Sequence, residues 1–146
     1  MTSTKEIQER IVGNMRRWQN MENATIAATG NIIERTENPI VRIVMEIIQR
    51  DSQMHHRVQE LIADTLTSKA VSLTPEELEK VWDLIEKHIR LERQTVGMAE
   101  EALAALKGRK MVVQEYLIRY LLEDENKHNH LLESLEAVKK DMYPYG

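Results

Sequence analysis

Apolar residues recur three or four positions apart along nearly the whole chain, the period of one helix face rather than the alternation of a strand. The first stripe runs Ile11, Met15, Trp18, Glu22, Thr25, Thr29, Ile32, and the second Ile40, Val44, Ile47, Asp51, His55, Val58, Ile62. A third runs Leu78, Val81, Ile85, His88, Glu92, Thr95, Ala99, Ala102, Leu106, and a fourth Leu117, Leu121, Asp124, His128, Leu131, Leu135, Val138. Every stripe turns polar near its middle. Helices joined by short turns bring their midpoints to similar heights, so Glu22, Asp51, His55, His88, Glu92, Asp124 and His128 are expected in one layer.

Local signals place the helix ends. Ser3 with Glu6 three residues on is a capping box, Asn38-Pro39 sets a cap residue before a first-turn proline, and Thr74-Pro75-Glu76-Glu77 combines both. Gly108 suits a left-handed helix end. These signals predict helices over about 4–35, 39–66, 75–107 and 110–141, each about 40 to 50 Å long, with the tail MYPYG outside them. The expected fold class is all-α, an antiparallel four-helix bundle forming a single domain over 1–146. The link between the second and third helices, around TSKAVSLT, spans at most about 34 Å, and it leaves open both an up-down-up-down order and a crossing of a shortened bundle.

The chain also repeats itself. Laying IIQRDSQMHHRVQELI (47–62) over YLLEDENKHNHLLESL (120–135) pairs Asp51 with Asp124 and His55 with His128. MENATI (21–26) over LERQTV (91–96) pairs Glu22 with Glu92 and Thr25 with Thr95. The sequence therefore reads as two copies of one helical hairpin. Each supplies a Glu from its first helix and an acid with a His from its second.

Composition narrows the chemistry. With 146 residues, 42% of them hydrophobic, the chain suits one domain with a sizeable core. Cysteine is absent, which excludes disulfides, thiolate metal sites and a Cys nucleophile, so any metal here would be held by oxygen and imidazole. A net charge of −4 with interleaved signs, and no Phe for base stacking, argue against nucleic acid as a partner. The start MTSTKEIQER carries no apolar signal core and no stretch is apolar enough to span a membrane. A cytoplasmic protein with no membrane partner is expected.

On these residues the sequence resembles the ferritin-like di-iron and di-manganese carboxylate proteins, nearest the small rubrerythrin-type branch, over most of its length. That family puts a Glu on each of two helices and Glu-x-x-His on each of the other two. The resemblance gives Glu22 and Glu92 the single-Glu roles, and Glu125-Asn126-Lys127-His128 is a literal Glu-x-x-His. Before His55 the corresponding residue is Ser52, and the carboxylate available is Asp51, four residues back; Asp124 holds the equivalent place before His128. Residues three and four before a His lie about 60° and 40° to either side of it, so both kinds of acid are within reach of a shared ion. The rubredoxin module of some relatives is absent, there being no cysteines.

The metal ligands implied are thus Glu22, Asp51, His55, Glu92, Asp124, Glu125 and His128. They would hold two divalent ions, iron foremost, with manganese or zinc also compatible with the donors. With iron, the expected activity is that of a di-iron oxidase, peroxidase or ferroxidase, with metal ions and a small oxidant as partners and a homo-oligomer, a dimer, as the assembly. The competing reading is a metal-free interaction or structural bundle whose buried Asp/Glu-His layer only fixes packing. His88, where the other half has Trp18, is expected beside the site or in the core rather than as a ligand, and His56 and His130 in solvent. Trp18, Tyr120 and the methionines at 15, 21, 45, 54 and 98 are expected to pack.

Overall fold

Four helices make up the computed structural model, which describes residues 1–68 and 74–141: α1 (Thr4–Arg35), α2 (Pro39–Thr67), α3 (Pro75–Leu106) and α4 (Val112–Asp141). The fold class is all-α. The capping chemistry lies where the sequence puts it. The Ser3 hydroxyl accepts from the Glu6 N–H while Glu6 reaches back to the Ser3 N–H, and Thr74 and Glu77 do the same for α3. The Asn38 side chain accepts from the N–H groups of Ile40 and Val41 above Pro39. Gly108, at φ 76°, takes the left-handed conformation just past α3, where a side chain would be strained. The center of the α2-to-α3 link and the tail MYPYG lie outside the described residues.

The chain divides into two compact units, Met1–Val71 and Ser72–Gly146, each a helical hairpin. In the first, α1 packs on α2; in the second, α3 packs on α4. Cross-links fix opposite helix directions within each. Arg16 and Gln19 reach Glu60, Glu22 reaches His55 and Gln59, and the Ile26 carbonyl accepts from Gln49, so the α2 number falls as the α1 number rises. Glu92 faces His128 and Thr95 faces Glu125 in the same descending order.

The seam inside each hairpin shares alternate positions with the predicted stripe on α1 and α3 and is offset from it on α2 and α4. The less exposed positions include Val12, Met15, Gln19, Glu22, Ile26, Thr29 and Ile33 on α1, and Met45, Gln49, Ser52, His56, Gln59, Ala63 and Leu66 on α2, with Thr25, Ile40, Val44 and Ile47 of the predicted stripes half-buried as well. In the second hairpin they include Leu78, Trp82, Ile85, Ile89, Glu92, Val96, Ala99, Leu103 and Leu106 on α3, and Glu115, Ile118, Leu122, Glu125, Asn129, Leu132 and Glu136 on α4, with Ala102, Leu117, Asp124, His128 and Leu135 of the predicted stripes half-buried beside them. All four sets alternate steps of three and four, as a helix pair in coiled-coil-like contact requires. On α2 and α4 they stand one residue, about 100°, from the predicted stripe. Ile11, Trp18, Ile32, Val58, Ile62, Val81, Leu121, Leu131 and Val138, all on predicted stripes, remain exposed. So do Met21, Met54 and Met98, whereas Met15 is buried as expected of core filler. Much of the buried seam is polar, with Gln19, Glu22, Thr29, Ser52, Gln59 and Glu92 among its members.

Candidate metal centre

In the α3–α4 hairpin the seam brings together three of the residues the sequence singles out. One ligand atom each from Glu92, Glu125 and His128 lie within 4.8 Å of one another. Glu92 comes from the middle of α3 and is buried, at 8% exposure. Glu125 and His128 sit three residues apart on α4, one helical turn, so both point to the same stretch of seam. His128 Nδ1 lies 3.4 Å from Glu92 Oε2 and 3.6 Å from Glu125 Oε2. The Thr95 hydroxyl, one turn along α3 from Glu92, is 2.9 Å from Glu125 Oε2 and steadies that carboxylate.

The two acids that competed for a role before His128 separate here. Glu125 joins the cluster. Asp124 lies on the other side of the ring, with Oδ2 3.5 Å from His128 Nε2 and Oδ1 2.6 Å from Lys127 Nζ. A carboxylate behind the far nitrogen of a ligating imidazole fixes its tautomer and orientation, and that is where Asp124 stands. His88, one turn before Glu92, places Nε2 2.9 Å from Glu92 Oε1. It thereby engages the other oxygen from the one that His128 approaches.

With both acids ionised, Glu92 Oε2 is buried and accepts no hydrogen bond, His128 Nδ1 standing 3.4 Å away. A buried anionic oxygen without a donor is costly, by several kcal/mol where the charge is wholly unpaired. Glu92 is held below the ordinary glutamate range, first by the Glu125 carboxyl acting as donor, with burial opposing and the His128 and His88 imidazoles assisting. With both acids ionised that donor is gone. Two carboxylates and an imidazole so close together call for a shared proton or a cation. The donor set is hard to intermediate and fits a divalent first-row ion.

The α1–α2 hairpin holds the repeat's other copy in a different state. Glu22 is buried, at 6% exposure, and His55 Nδ1 lies 3.2 Å from its Oε1 with Gln59 Nε2 at 3.4 Å. Burial would raise its pKa, but hydrogen bonds from Ser52, His55 and Gln59 outweigh it and hold the carboxyl below the ordinary glutamate range. Asp51 is exposed, one residue from the buried Ser52. Ser52 and Gln59 are thus site residues that the hydropathy stripe does not pick out, because a small hydroxyl and an amide carry little hydropathy signal. His56, expected in solvent, is partly buried on the seam, and its carbonyl accepts from Gln19 at 3.2 Å. His130 is exposed, as expected.

No known family, no curated protein and no solved structure matches the chain.

Proposed function

We propose that this chain is a ferritin-like metal-binding protein whose carboxylates and imidazoles hold divalent metal, iron foremost, in the service of an oxidoreductase reaction on Fe(II), dioxygen or peroxide. The observation that carries the reading is the buried, donorless Glu92 Oε2 beside Glu125 and His128. Glu92, Glu125 and His128 would be the ligands, with Asp124 orienting His128, Thr95 steadying Glu125 and His88 fixing Glu92. A bound iron ion would supply a Lewis acid and a one-electron couple. The side chains around it set the ligand charge and hold the ring and carboxylate orientations. Protein purified without chelator is expected to carry metal measurable by elemental analysis, and Glu92→Ala and His128→Ala should each lose it. Protein that stays folded yet takes up neither Fe(II) anaerobically nor Zn(II) would refute the reading.

A second reading, a metal-free interaction protein whose polar layer fixes helix register, draws on the Glu22 network, where three side chains of the same hairpin satisfy the carboxylate without any ion. The exposed apolar flank residues Trp18, Val58 and Leu131 suit such a role. Sedimentation of the metal-free chain separates a monomer from the homodimer that this reading expects.

A further inference from the structure

The two hairpins are copies in sequence, yet their polar centres have diverged at matched positions in a compensating way. In the gapless overlay Ser52 stands where Glu125 stands, and Gln59 where Leu132 stands. At these positions hairpin α1–α2 therefore has one carboxylate fewer and two hydrogen-bond donors more, and both donors point at Glu22. Gln59 Oε1 is left without a partner, which follows from the amide committing its nitrogen to Glu22. Hairpin α3–α4 has the carboxylate, carries an apolar Leu132 in place of the amide, and leaves Glu92 Oε2 buried with no donor once Glu125 is ionised. At the remaining matched position Trp18 replaces His88, so Glu22 lacks the imidazole that occupies Glu92 Oε1.

We infer that the resident metal belongs to the α3–α4 hairpin alone, one divalent ion per chain on Glu92, Glu125 and His128, and that Ser52 and Gln59 have converted the α1–α2 copy into a metal-free hydrogen-bonded lock. This rests on the metal-binding reading above and replaces the dinuclear centre that the family resemblance implies. Charge distinguishes the halves. A divalent ion in α3–α4 meets two carboxylates in its immediate shell and a third behind the histidine, whereas in α1–α2 it would meet one carboxylate already accepting hydrogen bonds from its neighbours. An ion entering there would have to displace those donors and leave them buried, a penalty without return.

Equilibrium dialysis of the full chain against Co(II), read by elemental analysis and by visible absorption, tests this. The expected result is about one Co(II) per chain. Glu22→Gln, which keeps an accepting oxygen and the fold, should leave that count and the spectrum unchanged. Glu92→Gln and His128→Ala should each weaken binding more than about tenfold, the lower end of what even outer-shell partners command. The double change Ser52→Glu with Gln59→Leu, which rebuilds the α3–α4 pattern in α1–α2, should raise the count to about two. Circular dichroism melts establish that each variant is folded. Two ions per wild-type chain, falling to one in Glu22→Gln, would overturn the inference and leave the metal-binding reading standing. A folded double variant that still holds one ion would overturn the role given to Ser52 and Gln59. No uptake by the wild type would overturn both readings together.

Discussion

Glu22 and Glu92 hold matched positions in the two hairpins and meet opposite fates. Both are buried seam carboxylates held below the ordinary glutamate range, Glu22 by donors of its own hairpin against the effect of burial and Glu92 chiefly by Glu125. Removing Glu22 would leave Ser52, His55 and Gln59 facing a space with no acceptor, so Glu22→Ala should destabilise the α1–α2 hairpin by about 1 to 3 kcal/mol at neutral pH. The sign with pH follows from the direction of the shift. A folded-state value below the unfolded one gives stability that is present above about pH 4.3 and is lost as the pH falls through the lower folded value. Urea unfolding of wild type and Glu22→Ala at pH 7, 4 and 3 should therefore show the gap between them narrowing on acidification; a constant gap would mean that the carboxylate charge contributes nothing. The periodicity makes Glu22, His55, Glu92 and His128 legible, since a charged residue in an apolar stripe is conspicuous. The literal Glu-x-x-His reading brings in Glu125 through its chemistry rather than its hydropathy. The sequence shows Ser52 in the place of an acid, but what Ser52 and Gln59 do instead becomes legible only once both are seen as donors to Glu22.

At the level of the helix, the starts were legible because caps are local: Ser3 and Thr74 each have a Glu three residues on, and Asn38 stands before a first-turn proline. The predicted starts of α1, α2 and α3 are those observed, while α4 begins at Val112, two residues beyond the expected start. The packing face was harder to read. A hydropathy stripe finds the middle of an apolar surface, but the hairpin seam runs along its edge, over Gln19, Ser52, Gln59 and Asn129, where polar side chains mute the signal. Gln19 and Gln49 each donate across that seam to a backbone carbonyl of the opposite helix, a pairing that pegs the register without apolar contacts. Close approach is set by small residues, and Ala63, with no exposed surface, marks the tightest point of α2. Ala63→Leu should force the helices apart and lower stability by about 1 to 3 kcal/mol, readable as a shifted denaturation midpoint. A neutral or stabilising result would show that the seam has room there and that the polar pegs alone hold the helices together.

Across the molecule, the sequence supports an all-α chain of four helices, because long uninterrupted periods and three marked caps leave few alternatives. The internal similarity matters for function because two similar hairpins need not share one task. Metal that binds only the folded α3–α4 hairpin would stabilise it by mass action, about 2.7 kcal/mol at a hundredfold excess over Kd. Helices that open as separate cooperative units would report such a gain separately. Hydrogen exchange followed by mass spectrometry, with and without Zn(II) at that excess, should thus slow amides in 89–99 and 122–132 about a hundredfold, while those in 15–29 and 49–63 change little. The contrast comes from matched helices in one sample, so an effect of salt or pH on the whole chain would move both sets together. Equal protection of both hairpins would contradict an ion confined to Glu92, Glu125 and His128, and protection confined to 15–29 and 49–63 would place the metal on Glu22 and His55 instead.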